Sequence, residues 1–405
     1  MSSIAYPAPL AITGSLPVRT EPFPSWPSFA SDEIEAVVKV LKSGKINYWT
    51  GEQGRLFEQE YAAFVGTKHA IAVANGTLAL ELALFALGVG QGDEVIVTSR
   101  SFIASASCVV MRGAIPVFAD VDLDTQNITA DTIAKVITPR TKAIIAVHLA
   151  GWPCDMDPIM DLANARGLKV IEDCAQSHGA TYKSRQIGSL GHINAFSFCQ
   201  DKIMTTGGEG GMVTTNDESL WHKAWSYKDH GKNFHAVFHQ QHLPGYRLLH
   251  DTFGTNWRLT EIQSGLGRVL LRKLPQHLQQ RRRNAAILDR CFSQILALRV
   301  PKIPGNVQHA YYKYHVFLRP ERLHHGWGLH RIQQAIIAEG IPCFCGYREM
   351  YLEKAFPPEW LPKIPLRNAK LLGETGLVFL THPMLSHSDM LDTCRAVHKV
   401  MNHAS

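Results

Sequence analysis

The 405-residue chain lacks several patterns that mark other classes of protein. Its eight cysteines form no C-x-x-C pair and no zinc-ligand spacing, so we predict no metal site. No G-x-x-x-x-G-K-[ST] motif occurs, which excludes a P-loop nucleotide triphosphatase. The chain also has no internal repeat and no low-complexity tract, which excludes solenoid and disordered architectures.

Long runs of charge and of apolar residues are missing as well. The formal net charge is only +6, and the longest basic run, Arg281-Arg282-Arg283, lies in a helical pattern typical of a solvated face. We therefore expect no nucleic-acid partner. The longest apolar stretch, residues 70–90, is interrupted by Asn75, Gly76 and Glu81, so we expect no membrane span.

The N-terminal sequence and the cysteines predict the compartment. The segment MSSIAYPAPLAITG has neither the basic start nor the long apolar core of a signal peptide. Several cysteines lie in apolar, strand-like runs, as buried reduced thiols do. The sequence therefore predicts a cytoplasmic protein.

Short apolar runs rich in β-branched residues alternate with amphipathic helical patterns from residue 69 onward. They predict seven strands, at 70–74, 95–99, 115–121, 143–149, 169–173, 194–199 and 211–215. Continuous apolar strands separated by helices indicate an α/β fold with a mostly parallel seven-stranded sheet between helices. Ligands in such sheets bind at the carboxyl ends of the strands.

The flanking segments predict a second domain. Residues 1 to about 30 form an irregular arm, and a helix then runs from Ser31 to near Gly44 with Ile34, Val37, Val38 and Leu41 on one face. A helix capped by Thr260 precedes a separate long helix at about 275–295. Beyond it, the sequence predicts a strand (311–318), a helix (329–339), a strand-like turn (341–347) and a terminal helix from about 388. We divide the chain into a large domain, 1–275, and a small α+β domain, 276–405.

Two strand ends carry a carboxylate and an amine. Asp173 closes the 169–173 run, and Lys202 follows the 194–199 run in a turn rich in threonine and glycine. A lysine that can form a Schiff base and an anion for a pyridine nitrogen are the groups that pyridoxal phosphate (PLP) chemistry needs. Taken alone, the two residues are more typical of a surface lysine and a helix-capping aspartate.

Other strand ends carry further candidates. Asn75-Gly76-Thr77 opens a helix and suits either a phosphate seat or an ordinary N-cap. Phe102 suits either core packing or stacking on a planar ring. His148 is more typical of a structural hydrogen bond than of catalysis. Ser197 lies five residues before Lys202 and is placed to reach a ligand near it.

Four segments together resemble the PLP-dependent sugar aminotransferases of the DegT/DnrJ/EryC type, within the aspartate aminotransferase fold type I. The segments are NGTLAL (75–80), IEDCAQSHGA (171–180), FSF with Lys202 and TTGGEGG (196–211), and NWRLTEIQ (256–263). The resemblance extends over about residues 20 to 400, and the middle two segments are the most specific. It implies PLP as cofactor.

The resemblance also implies individual roles around the cofactor ring. Lys202 would carry the Schiff base, and Asp173 would pair with the protonated pyridine nitrogen. Gln176 would reach the phenolic oxygen of the ring, and Phe102 would stack on the ring.

The phosphate of the cofactor would be held by four residues. Gly76, Thr77 and Ser197 would come from the same chain, whereas Asn256 would reach over from a partner subunit. The resemblance therefore implies a homodimer with its active site at the interface.

The reaction implied is transfer of an amino group from glutamate, or glutamine, to a keto-sugar that we expect to be nucleotide-linked. The product would be an amino sugar for a surface polysaccharide or a secondary metabolite. Three peripheral segments, 23–27, 48–52 and 346–348, are similar to the branch that aminates keto-inositols from glutamine, which is the alternative. Departures at Cys199-Gln200-Asp201, at Ala150 and at the additional glycine in Gly207-Gly208 leave the acceptor open.

Three further functions are compatible with this fold. A PLP sugar dehydratase would have histidine in place of Lys202. A cysteine desulfurase would need a reactive cysteine, for which Cys343-Phe344-Cys345 is the candidate. A non-catalytic homologue would not need the complete set of cofactor residues.

Overall fold

The computed structural model describes residues 9–242, 245 and 247–405. The first eight residues of the predicted arm, and Leu243, Pro244 and Tyr246 of the segment that follows the large sheet, lie outside the described residues. From residue 9 the arm is irregular apart from a 3-10 turn at Ala11–Thr13. Helix α1 (Ser31–Ser43) then begins as predicted and ends at Gly44, whose φ of 67° is favourable for glycine.

The first nine strands, numbered in chain order, include all seven that the sequence predicts, each with ends within two residues of the prediction. They are β1 (His69–Val73), β2 (Glu94–Thr98), β3 (Ile115–Ala119), β4 (Thr141–Val147), β5 (Lys169–Asp173), β6 (Thr181–Tyr182), β7 (Arg185–Gln186), β8 (Ile193–Ser197) and β9 (Gly211–Thr215). The large sheet has the order β1-β9-β8-β5-β4-β2-β3. The predicted α/β fold with a seven-stranded sheet is confirmed.

Strand directions bring the candidate residues to one edge of this sheet. Strand β9 is antiparallel to β1 and β8, whereas β8, β5, β4, β2 and β3 pair in parallel. Six strands therefore end at the same edge, and β9 begins there. Strands β2, β8 and β9 are buried along their whole length, as expected for a sheet covered on both faces.

Helices cover the large sheet. They are α2 (Gln53–Val65), α3 (Gly76–Ala86), α4 (Ala104–Met111), α5 (Ala130–Ala134), α6 (Met156–Ala165), α7 (Glu218–Lys228), α8 (Phe234–Phe238) and α9 (Glu261–Phe292). Helix α3 begins where it does because the side-chain oxygen of Asn75 accepts the amide of Leu78 at 2.9 Å. That cap fixes the helix N-terminus against the sheet edge.

Helix α9 corrects the prediction of two separate helices. It starts with the predicted cap, in which Thr260 and Gln263 bond each other's backbone, and it continues through Pro275 to Phe292. Burial of Leu271, Leu274 and Leu278 on either side of the proline keeps the helix continuous, although proline removes one backbone donor. The domain boundary at 275/276 falls inside this helix and stays a prediction.

The last part of the chain forms a smaller sheet and its helices. Strands β10 (Leu298–Arg299), β12 (Tyr314–Leu318), β14 (Gly376–Phe379) and β13 (Cys343–Cys345) pair antiparallel in that order, and β11 (Val307–Gln308) joins the β6–β7 hairpin. Helices α10 (Leu329–Ala338), α11 (Arg367–Thr375) and α12 (His387–Ala404) complete it. The sequence predicts β12, β13, α10 and α12 but misses β10, β11, β14 and α11. Among the described residues, no helix has the length and hydropathy to cross a membrane.

Candidate active site

A cavity of about 550 Å³ opens at the carboxyl edge of the large sheet. Seven of the eight predicted cofactor residues line it: Gly76, Thr77, Phe102, Asp173, Gln176, Ser197 and Lys202. The eighth, Asn256, does not line this cavity. Its side chain is exposed, and its backbone bridges to Asp229.

Lys202 is held through its backbone on two sides. Its amide donates to the carbonyl of Cys199 at 3.1 Å, and its carbonyl accepts the indole N–H of Trp26 at 2.8 Å. The side-chain Nζ lies 3.9 Å from Oδ1 of Asp201 and 4.9 Å from the ring centroid of Tyr312. The hydroxyl of Tyr312 donates to the second carboxylate oxygen of Asp201. Because the backbone of Lys202 is fixed, its amine lies beside the ring of Tyr312, and both side chains line the cavity.

Asp173 ends β5 as a buried carboxylate. Its Oδ2 accepts the hydroxyl of Ser105 at 2.8 Å, and its Oδ1 accepts the amide of Ala175 at 3.1 Å. Burial raises the pKa of Asp173, while these two hydrogen bonds act in the opposite direction. A buried carboxylate that faces a cavity gains most from a cationic ligand atom, and a protonated pyridine nitrogen is such an atom.

Gln176 is oriented by the backbone. Its Oε1 accepts the amide of Ala150 at 2.9 Å, so the side-chain oxygen is committed to that contact. Its Nε2 donates to the hydroxyl of Tyr347 at 3.4 Å, on the cavity side. Gln176 is therefore a hydrogen-bond donor to the cavity, as a phenolic ring oxygen requires.

Two glycines let the N-terminus of α3 come close to the ends of β8 and β9. A Cβ on Gly76 would lie 2.5 Å from Cβ of Ser197, and one on Gly211 would lie 2.3 Å from the carbonyl oxygen of Asn75. The first backbone amides of α3 therefore meet the hydroxyl of Ser197 at one place. A helix N-terminus with an adjacent hydroxyl binds phosphate, so the residues present fit the phosphate of PLP.

Phe102 lines the cavity but does not plug the core. Its side chain is 59% exposed, although it follows a fully buried strand. This exposure removes core packing as the reason for an aromatic residue here. It leaves the ring available to a planar ligand.

The two histidines near the site have structural contacts. Nε2 of His178 lies 2.8 Å from the carbonyl of Ser197 and must donate to it, so Nδ1 accepts the hydroxyl of Tyr61 at 2.8 Å. Burial lowers the pKa of His178 to about 4, which keeps the ring neutral. His178 therefore fixes the end of β8 and holds no proton for exchange with a substrate.

His148 belongs to a group of potential metal ligands with Glu172 and Cys174. Its Nδ1 accepts the amide of Cys154 at 2.9 Å, and its Nε2 lies 2.9 Å from Glu172. Glu172 in turn accepts three backbone amides, from Gly188, Leu190 and Gly191. These hydrogen bonds account for the cluster as a structural network.

Some residues of the site could not be assigned from the sequence. Ser105 lies 68 positions from Asp173, and nothing in its local pattern relates the two. Tyr312 lies in a segment whose sequence predicts only a strand, and Asp201 lies where the sequence departs from the family pattern. Trp26 and Tyr347 belong to peripheral segments similar to the keto-inositol branch, and that similarity is the signal in the sequence that points to them.

The third such segment does not reach the cavity. Its Tyr48 is buried, with its hydroxyl 3.0 Å from Glu58, and does not line the cavity.

The candidate cysteine for desulfurase chemistry is not activated. Cys343 is buried on β13, and Sγ of Cys345 donates to Oε1 of Gln333 at 3.1 Å. Burial raises the pKa of the Cys345 thiol. Since the thiolate is the reactive form, neither residue has the environment of a nucleophile.

The sheet order, the lysine turn after β8 and the helix N-terminus after β1 define a PLP-dependent aminotransferase of fold type I. The chain belongs to the DegT/DnrJ/EryC1/StrS aminotransferase family, whose model matches residues 27–398.

Individual relatives support this assignment. The chain is 38% identical to GDP-perosamine synthase of Caulobacter vibrioides, over 87% of this chain and 92% of that one. It is 33% identical to L-glutamine:2-deoxy-scyllo-inosose aminotransferase of Streptoalloteichus tenebrarius, over 98% of both chains. The crystal structure of an aminotransferase from Psychrobacter cryohalolentis is 53% identical, with a TM-score of 0.93 over 94% of this chain and 99% of that one.

Proposed function

We propose that this aminotransferase moves an amino group from glutamate, or glutamine, to a nucleotide-linked keto-sugar, for amino-sugar and polysaccharide or secondary-metabolite biosynthesis. The observation that carries the proposal is the cavity in which Lys202 is the only lysine among the described lining residues, together with Asp173 and Gln176. The names of the relatives support a sugar or a related cyclic ketone as acceptor.

Three residues of the site have a definite task in this proposal. Bound PLP supplies an aldehyde that receives the donor's amino group and an electron-withdrawing ring that acidifies the donor Cα–H. Lys202 would hold the cofactor covalently, and after the donor displaces it, its neutral amine would take the proton from the donor Cα. Asp173 would keep the pyridine nitrogen protonated, and Gln176 would donate to the phenolic oxygen. The same residues would act in the reverse direction on the keto-sugar.

A homodimer would complete the site. Ile34, Val38 and Leu41 lie on one face of α1 and are 55%, 38% and 52% exposed, an apolar stripe that a second copy would cover. Asn256 lies outside the cavity of its own chain, as a residue that serves the partner's cavity would. We therefore propose that Asn256 contacts the phosphate held by the partner subunit.

Hybrid dimers test this shared site. A hybrid of Lys202→Ala and Asn256→Ala chains has one site with both defects and one intact site if Asn256 acts on the partner. If Asn256 acts within its own chain, every site of the hybrid is defective. Activity in the hybrid above that of either parent dimer supports the proposal, and activity no higher than the parents contradicts it.

Transfer from glutamine to a keto-inositol is the second candidate function. Tyr347, from a segment similar to that branch, lines the cavity and contacts Gln176. The dehydratase is disfavoured because Lys202 is retained, and the desulfurase because Cys345 is protonated and hydrogen-bonded. We also propose a cytoplasmic location, in keeping with eight free cysteines.

A half-reaction screen tests the function. The holoenzyme is titrated with L-glutamate, L-glutamine and L-alanine while the absorbance of the lysine-bound cofactor is followed. We expect glutamate or glutamine to bleach this band, and a nucleotide-linked keto-sugar to restore it. Restoration by a keto-inositol alone would favour the second candidate. No bleaching by any amino acid would contradict both.

A further inference from the structure

A second cavity, of about 340 Å³, adjoins the cofactor cavity on the side of the small sheet. The two cavities share four lining residues: Gln176, Asp201, Tyr312 and Tyr347. A ligand that reaches Lys202 in the first cavity is therefore separated from the second only by these side chains.

The small sheet forms one wall of the second cavity. His315 of β12 pairs with Val378 of β14, which pairs with Phe344 of β13, and all three line the cavity. Lys313, which directly precedes β12, lines the cavity as well. The cavity thus has a polar end, formed by the amine of Lys313 and the imidazole of His315.

Lys313 has no ion partner among the described residues. Among the described residues no acceptor lies within hydrogen-bond or ion-pair distance of its Nζ, and its closest ring contact is Tyr312, with 5.1 Å from Nζ to the centroid. Burial lowers the pKa of Lys313, and the carboxylate of Asp201, which already accepts the Tyr312 hydroxyl, partly offsets this. Lys313 is half-buried, and its ammonium lines the cavity without a partner among the described residues, so an anionic ligand at this place is stabilised by a charge-assisted contact.

His315 contributes a second polar atom. Its Nδ1 is buried and has no hydrogen-bond partner among the described residues. Burial lowers the pKa of His315 to about 3, with Arg100 and Lys313 adding to the effect, so the ring is neutral. A neutral imidazole can donate one hydrogen bond, which suits an anion already paired with Lys313.

We propose that Lys313, with His315 beside it, binds a carboxylate of the amino donor. This inference rests on the proposed function. The donor carries a carboxylate on the reacting carbon, and glutamate carries a second a few bonds away, whereas a keto-sugar ring is uncharged. A nucleotide diphosphate is separated from the reacting carbon by the sugar ring. Lys313 lies near enough to Lys202 for their charges to interact, which matches a group close to the reacting carbon.

The test compares donor and acceptor half-reactions of the holoenzyme in Lys313→Met, Lys313→Arg and Lys354→Met. Lys354 is an exposed lysine of the same part of the chain and serves as the matched control. In Lys313→Met we expect the apparent dissociation constant for L-glutamate to rise by about tenfold or more. Lys313→Arg should recover most of this affinity, and Lys354→Met should be unchanged.

Equilibrium binding of glutarate, an unreactive dicarboxylate, separates binding from reaction. Its perturbation of the cofactor absorbance should weaken in Lys313→Met by about the same factor as glutamate binding. Unchanged glutamate and glutarate binding in Lys313→Met would overturn the inference, as would a defect confined to the acceptor half-reaction. If no amino acid bleaches the wild-type band, the proposed function fails. Glutarate binding still decides in that case whether Lys313 holds a carboxylate.

Discussion

The ε-amino nitrogen of Lys202 lies 3.9 Å from a carboxylate oxygen of Asp201, the residue that precedes it in the chain. The other oxygen of Asp201 accepts the hydroxyl of Tyr312, whose ring faces the same amine. Asp201 stands where the chain departs from the more frequent family sequence. The side chain of Asp201 is 54% exposed, so solvent weakens the attraction between its charge and the Lys202 amine. The main contribution of Asp201 is therefore to hold Tyr312 against Lys202.

A double-mutant cycle tests this relationship. We expect Asp201→Ala, which removes the acceptor, and Tyr312→Phe each to slow the donor half-reaction several-fold, and the double variant to be little worse than either. The coupling energy should be about 1 kcal/mol, the net value of one hydrogen bond. Rapid-mixing measurement of band decay provides the rates. Additive effects would show that the Asp201–Tyr312 hydrogen bond does not position the lysine.

The close approach of α3 to β8 predicts the effect of a single methyl group. In Gly76→Ala the new Cβ would meet Cβ of Ser197 at 2.5 Å, so the helix N-terminus must move away from the phosphate position. We expect PLP affinity of the apoenzyme to fall by about tenfold or more. Gly90→Ala, where a Cβ meets nothing within 4 Å, is the control. Equal PLP affinity in both variants would contradict the proposed phosphate seat.

The hydrogen bond from Ser105 to Asp173 predicts a pH effect. Because this bond lowers the pKa of Asp173, its loss in Ser105→Ala raises that pKa further. Activity requires the ionised carboxylate, so the acidic limb of the pH profile of kcat/KM should move to higher pH. Asp173→Asn should lower kcat/KM by about 100-fold or more.

Ser99→Ala is the matched control for this experiment. Its hydroxyl is also buried after β2, but it has no partner among the described residues. We expect its pH profile to coincide with that of the wild type. An unshifted acidic limb in Ser105→Ala would show that Ser105 does not act on the proposed ring-nitrogen partner.

Burial of His178 predicts a loss of stability in acid. Its pKa is about 4 in the folded chain against an ordinary value of 6.5, so the unfolded chain binds the proton more tightly. The free energy of unfolding should therefore fall as the pH falls from about 6.5 to about 4, by about 3 kcal/mol from this residue. In His178→Gln, whose amide can still donate to Ser197, this part of the pH dependence should disappear.

Urea unfolding of wild type and His178→Gln at about pH 7.5 and about pH 4.5 measures the difference. The wild type should lose more stability between the two values than the variant does. Equal losses would mean that His178 is protonated in the folded protein, contrary to the buried and neutral ring described above.

The sequence predicts the large sheet well because its strands are continuous apolar runs between helical patterns, which few other structures produce. Asp173, Ser197 and Lys202 could be located because each stands at a strand end, where α/β folds place ligands. The sequence misses β14 because this strand has only four residues, Gly376–Phe379, and directly follows the last turn of α11.

Residues contributed from distant parts of the chain could not be found in this way. Ser105, Tyr312 and Trp26 reach the site only through the fold, and their local sequences are ordinary for a helix, a strand entry and an irregular arm. Lys313 illustrates the same point, since a lysine in a predicted strand is usually solvated. Its place in the wall of the second cavity, without an ion partner among the described residues, is visible only in the folded structure.

The most direct test of the account is to identify the lysine that binds the cofactor. Reduction of the PLP-loaded enzyme with borohydride fixes the linkage as a stable amine, and peptide mass spectrometry then locates it. We predict the modification on Lys202, with Lys202→Ala showing no borohydride-fixed cofactor and no multiple-turnover transamination. Modification of another lysine, such as Lys313 or Lys228, or sustained turnover by Lys202→Ala, would contradict the account.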